Sequence, residues 1–252
     1  MLIASALDVS IAGIEVCRGL DLSLASGESL AILGRNGAGK STLLATLAGL
    51  RPAQGGSVSI AGTVLPAGDG RALARQRGYL AQQQHDAFAT EVLEAVLAGR
   101  HPHLTRWEWE AATDQRIALQ ALDEVGLSGF GQRALHTLSG GERQRVALAT
   151  LLAQQPQLYL VDEPLTHLDL NHQIATLEIL ARLTGSGATV AAVLHDPSLA
   201  LRFFGRALLL FGDGLWLAGA ASTVLTTENL SRLYGHPLCR VDTARHSIFI
   251  PE

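Results

Sequence analysis

Short runs that are apolar at nearly every position, at 29–33, 158–161, 189–194 and 207–211, alternate along the chain with segments of helix length. Such runs suit strands buried on both faces, as in a parallel sheet covered by helices on each side. The pattern predicts a layered α/β domain. Between 91 and 134 it changes: strand signals are missing, and Ile117, Leu119, Leu122 and Val125 recur at roughly helical spacing. A helical insertion is expected there. Beyond the turn Gly212-Asp213-Gly214 come a helix-like segment at 227–234 and strand candidates near 238–241 and 247–250. These read as a small C-terminal appendage over 212–252, which leaves 1–90 and 135–211 as the core of one domain.

Composition narrows the class. The 252 residues are 48% hydrophobic and 17% charged, enough apolar mass for a substantial core. With 19 basic against 23 acidic residues the net charge is −4, so no diffuse basic surface draws the chain to nucleic acid or anionic lipid. The two cysteines, Cys17 and Cys239, lie far apart and outside any C-x-x-C pair, which excludes a disulfide scaffold or thiolate zinc site and makes a cytosolic setting the expectation. Mean hydropathy is +0.23. Even so, apolar runs such as 188–194 stop far short of the ~20 residues that span a bilayer, and no basic segment precedes an apolar stretch as in a cleaved signal.

Candidate chemistry begins at Gly34-Arg35-Asn36-Gly37-Ala38-Gly39-Lys40-Ser41, a full match to G-x-x-x-x-G-K-[ST]. The run 30–33 precedes it as a buried strand and 42–48 follows as a helix. Glycines let successive N–H groups curl around phosphate oxygens at a helix N-terminus, where the macrodipole favours anions. Asn36, Gly37, Ala38, Gly39, Lys40, Ser41 and Thr42 are thus candidate nucleotide contacts; Lys40 adds positive charge and Ser41 a hydroxyl for Mg²⁺. A plain glycine-rich turn is the bland alternative, disfavoured by strand, loop and helix in register.

Leu158-Tyr159-Leu160-Val161 ends in Asp162 and Glu163. That places two carboxylates at the C-terminal edge of a strand, where α/β sheets bind ligands. Asp162 is the candidate Mg²⁺ holder and Glu163 the group that orients and deprotonates water. The run 189–194 is capped by His195, a γ-phosphate candidate at the same edge. Ser139-Gly140-Gly141, before a helix-like segment starting at Glu142, offers a second helix N-terminus suited to an anion.

Leu138-Ser139-Gly140-Gly141-Glu142, followed by Arg143-Gln144-Arg145, resembles the signature motif of ABC-type ATPases. The likeness covers nearly the whole chain, in family order: phosphate loop, Gln82 in Tyr79-Leu80-Ala81-Gln82, signature, Asp162-Glu163, Leu168-Asp169 and His195. It implies a P-loop NTPase core of ABC ATPase type with an inserted helical subdomain and an N-terminal antiparallel β region. It also implies ATP and Mg²⁺ as cofactors, Gln82 as a catalytic and metal contact, and Asp169 as a nucleotide contact. Two copies would pair head to tail, so that Ser139, Gly140, Gly141 and Glu142 of one cover the ATP on Lys40 of the other. Ile11 stands where relatives often place an aromatic ring on adenine.

Gly99-Arg100-His101-Pro102-His103, the segment 162–170 and Asn229-Leu230-Ser231-Arg232-Leu233-Tyr234-Gly235 resemble subunits that energise uptake of ferric siderophores, haem or cobalamin. The implied setting is the cytoplasmic face of the cell membrane, beneath two integral-membrane permease subunits, with a periplasmic or surface binding protein acting indirectly and no nucleic acid. Exporter ATPases, and non-transport ABC ATPases acting as mechanical or regulatory modules, are the alternatives. His101 and His103 read as loop or interface residues rather than metal ligands, and His167 and His172 as interface or surface residues. Trp107 and Trp109 are expected on opposite faces of a helix, one in the core and one beside Gln82. Cys17 and Cys239 are expected to be inert.

Overall fold

The computed structural model of the chain describes residues 1–66, 69–82, 90–105, 109–243 and 246–252. It opens with a long antiparallel hairpin, β1 (Leu2–Ile11) and β2 (Ile14–Leu24), turned at Ala12-Gly13, both in the left-handed region. β3 (Ser29–Gly34) then leads into α1 (Lys40–Leu47). β4 (Gly55–Ile60) and β5 (Thr63–Val64) return to the first hairpin and complete a four-stranded sheet of order β2-β1-β4-β5. After α2 (Gly70–Gln76), β6 (Arg77–Leu80) joins a second sheet with β7 (Leu158–Asp162), β8 (Thr189–Val193), β9 (Arg206–Leu210) and β10 (Trp216–Ala220). Its order is β10-β9-β3-β8-β7-β6, parallel except for the β10 edge.

The all-apolar runs have a direct cause in this sheet. Side chains alternate across a strand, so each strand feeds two cores. Leu30, Ile32, Leu160, Val193 and Leu208 pack with α1 and the first sheet. Ala31, Leu33, Val161, Ala192 and Leu209 pack on the other face, against the helices. Those include α3 (Val92–Leu97), a 3₁₀ turn (Ala98–His103), α4 (Ala112–Glu124), α5 (Gly140–Gln154) and α6 (Leu170–Gly185). Glu91 and Ala134 form an isolated antiparallel bridge, so the segment read as inserted leaves and re-enters the core at adjacent points.

The C-terminal segment differs from expectation. Gly212-Asp213-Gly214 closes a hairpin between β9 and β10, so residues 216–220 extend the central sheet instead of starting an appendage. α7 (Pro197–Phe203), α8 (Ala221–Val224) and α9 (Thr227–Tyr234) follow the same helical side. The final hairpin, β11 (Leu238–Asp242) and β12 (Ser247–Pro251), is tied to α7 by the Phe249 N–H on Ser198 Oγ at 3.0 Å. Among the described residues no helix is long and apolar enough to cross a membrane.

Candidate nucleotide site

β3 ends at Gly34, and α1 starts at Lys40, two residues earlier than the sequence suggests. The reason is Gly39, at φ +85, which turns the chain straight into the helix with no side-chain cap. A Cβ at Gly39 would lie 2.3 Å from Val16 Cγ2, and one at Gly34 2.8 Å from the Leu210 carbonyl. The loop is thus pressed between β2 and β9, and only glycine fits. The first N–H groups of α1 have no intrahelical acceptor and point out of the helix end. The Ala38 side chain is buried in the core and its N–H donates to the Arg35 carbonyl at 3.1 Å.

A cavity of 430 Å³ above the loop is lined by Ile11, Asn36, Gly37, Gly39, Lys40, Ser41, Thr42, Gln82, Glu163 and His195. Strand register brings these together: β3, β7 and β8 are parallel neighbours, so the residues after each emerge at one edge. Lys40 is buried and its Nζ folds back to donate to the carbonyls of Gly34 (3.0 Å) and Arg35 (3.2 Å). Burial pulls its pKa down, against the attraction of Glu163 and Asp162. Asp162, 2% exposed, is pushed up chiefly by desolvation, despite a hydrogen bond from Ser41 and the Lys40 charge. Its Oδ1 is buried with no hydrogen-bond partner.

Both oxygens of Glu163 are occupied. Gln82 Nε2 donates to Oε2 at 2.9 Å and His195 Nε2 lies 2.9 Å from Oε1. Glu163 itself holds φ +49, the left-handed region a non-glycine residue rarely adopts. Three contacts at this cluster lie outside the sequence reading. Thr166 Oγ1 approaches Glu163 Oε2 at 3.4 Å, Gln144 Nε2 reaches the Glu163 carbonyl at 3.5 Å, and the Tyr234 hydroxyl donates to the His195 carbonyl at 3.3 Å. The last two join residues far apart in the chain, and no local pattern signals them.

The second group of expected contacts lies elsewhere. Ser139 caps α5, its Oγ accepting the Glu142 N–H at 3.2 Å while Glu142 Oε2 accepts the Ser139 N–H at 2.7 Å. That backbone bond, first of all, holds the Glu142 carboxyl below the usual range. The carboxylate therefore closes the helix end as half of a capping box with Ser139. Gly141 admits a backbone, since a Cβ there would sit 2.8 Å from the His167 carbonyl, whereas one on Gly140 would meet only the His167 side chain at 3.6 Å. Asp169 caps α6 through the His172 N–H (2.9 Å) and meets His172 Nδ1 at 2.8 Å. None of Ser139, Gly140, Gly141, Glu142 and Asp169 lines the loop cavity of its own chain.

His103 Nε2 lies 2.8 Å from the Gln154 carbonyl and His101 3.6 Å from Glu110. Trp109 is 87% exposed on a non-helical stretch before α4, not on a helix and not in the core; Trp107 lies outside the described residues. Burial pushes the Cys17 thiol up to about 11, while Cys239 is half-buried on the final hairpin.

A family model described as ABC transporter matches residues 17–166. The Hemin import ATP-binding protein HmuV of Gloeobacter violaceus is 42% identical over 243 residues, covering 93% of this chain and 87% of that protein. The Cobalamin import ATP-binding protein BtuD of Halobacterium salinarum is 38% identical over 225 residues, 89% of this chain and 56% of that protein. Among solved structures, a metal-chelate type ABC transporter in an inward-facing conformation matches with a TM-score of 0.87 at 29% identity, over 100% of this chain and 97% of that one.

Proposed function

The chain belongs to the ABC transporter ATP-binding family, and from that membership we propose that it is the ATP-hydrolysing subunit of an importer for a metal chelate of the haem or cobalamin class. Haem comes first because relatives above 40% identity carry the hemin-import name. It works as a head-to-tail pair on the cytoplasmic face of the membrane, beneath two permease subunits, with a binding protein delivering cargo from outside.

The observation that carries the ATPase chemistry is the meeting of Lys40, Asp162, Glu163 and His195 at one sheet edge. ATP phosphates seat on the open N–H groups of α1, and Lys40 Nζ leaves the loop carbonyls for phosphate oxygens. The orphaned Asp162 Oδ1 beside the Ser41 hydroxyl fits a hard divalent cation with oxygen ligands. Bound there, Mg²⁺ would neutralise phosphate charge. Glu163 accepts a proton from water, whose oxygen attacks the γ-phosphorus as the bond to the β-phosphate oxygen breaks and ADP leaves. For that, water must take the place of Gln82, whose amide donates to Glu163 Oε2, or of His195 beside Oε1. Ser139 stands apart from its own chain's cavity, which supports its acting on the nucleotide of a second copy.

Glu163→Gln tests this. The amide cannot take the proton but keeps the shape, so hydrolysis should fall to background while Mg·ATP binding persists. The variant should run as a nucleotide-bound dimer in size-exclusion chromatography. A monomer under saturating ATP would refute the paired arrangement, and undiminished turnover the role of Glu163.

A further inference from the structure

The proposed function leaves Gly99-Arg100-His101-Pro102-His103 without a task, yet this 3₁₀ turn is the joint between the core and the helical layer. Arg100 is 7% exposed. Its Nε donates to Asp114 Oδ1 at 2.9 Å, in the first turn of α4. Its Nη1 donates to the Ala153 carbonyl at 2.8 Å, in the last turn of α5, and to Gln155 Oε1 at 3.2 Å. Beside it, His103 covers the Gln154 carbonyl, while Gln154 Nε2 donates to the Arg77 carbonyl at 2.9 Å and Arg75 Nε to the Pro102 carbonyl at 2.6 Å. Gly99 allows the approach, since a Cβ there would lie 2.2 Å from the Thr150 carbonyl.

A buried Arg–Asp pair is a poor way to gain stability, because apolar residues of similar volume do as well or better. What the planar guanidinium adds is direction: its donors fix acceptors on several segments at once. Here those acceptors include the C-terminal end of α5, whose N-terminal end carries Ser139. Fifteen residues make α5 about 22 Å long, so a tilt of ~5° about the anchored end moves Ser139 by roughly 2 Å.

We propose that Arg100 is a positioning residue for the partner's reaction: by tying the end of α5 to α4, it sets where Ser139 meets the nucleotide held by a second copy. The inference rests on the head-to-tail pairing proposed above, and the test separates the two. Full-length subunits are mixed in pairs and ATP hydrolysis is measured. Lys40→Ala with Ser139→Arg can rebuild one intact site, and regained activity there establishes the pairing. Arg100→Met lacks a proper signature presentation but keeps its phosphate loop. Mixed with Lys40→Ala it rebuilds an intact site and activity should return. Mixed with Ser139→Arg, both loops are intact, but one faces the substituted Ser139 position and the other the misplaced signature, so activity should stay about tenfold or more lower.

A general loss of fold would depress both mixtures alike, and that result overturns the proposal, as does full activity of Arg100→Met alone. The double variant Arg100→Met/Asp114→Leu guards against instability. It fills the buried volume without leaving a lone charge, should melt at or above the wild-type temperature, and should still show the same asymmetry between mixtures. Equal mixtures with a stable double variant would assign the pair to packing only. If the Lys40→Ala and Ser139→Arg mixture regains nothing, the pairing falls and the inference with it.

Discussion

Asp162→Asn should make the nucleotide-free protein more stable. Asp162 is 2% exposed, with Oδ1 buried and unpartnered, and desolvation together with nearby Glu163 pushes its pKa up. A group whose pKa rises on folding stabilises the fold while protonated; that contribution is lost as pH rises from the ordinary carboxylate value through the raised one. At neutral pH the ionised side chain therefore works against folding. Asparagine removes the charge and retains an oxygen and an amide that can meet Ser41. Lys40 keeps Glu163, the larger of its two charge partners. Leaving a buried acceptor unsatisfied costs about 1–3 kcal/mol. Because asparagine leaves part of that unmet, a gain of about 1–2 kcal/mol is expected, a rise of roughly 2–8 °C in melting temperature for a chain of this size. Differential scanning calorimetry without nucleotide reads it directly. The gap should narrow as pH falls into the carboxylate range, where wild-type Asp162 takes up its proton. Mg·ATP should reverse the order, since a ligand at a hundred times its Kd adds about 2.7 kcal/mol to whichever form binds it. An asparagine variant no more stable than wild type at neutral pH, or a gap that widens on acidification, would refute the reasoning.

Other substitutions probe the same cavity. Gly39→Ala places a methyl 2.3 Å from Val16 at φ +85, so isothermal calorimetry should find ATP binding lost while Gly13→Ala, which meets nothing within 4 Å, leaves it intact. Lys40→Ala should weaken nucleotide binding itself, in contrast to Glu163→Gln, and titration with a fluorescent ATP analogue separates the two. Ile11 gives the base an aliphatic wall within the loop cavity, so wild type should discriminate only modestly between ATP and GTP. Ile11→Tyr should tighten ATP by up to about tenfold through ring stacking, and unchanged affinity with strong ATP preference would show that adenine is held elsewhere.

Whatever depends on neighbours along the chain was legible in the residues. The phosphate loop needs a strand, glycines at set places and a helix, all contiguous, and Asp162 and Glu163 follow directly on their strand. Even the second use of the signature was open to view, since Ser139 and Glu142 stand at the spacing of a capping box, although the anion reading claimed them first. What lay beyond the sequence is what strand register and side-chain reach decide. Gln82, Glu163 and His195 leave three different strands and become bonded only because β6, β7 and β8 lie side by side in one parallel sheet. The junction at 212–214 looks like any turn until β10 pairs with β9. Gly99 and Arg100 were legible only as part of a run resembling importer subunits, because their structural meaning sits on Thr150, Ala153 and Asp114, on two other helices. Local propensity sets elements and loops within a few residues; a buried polar group chooses its partners only when packing has brought distant segments within hydrogen-bond range.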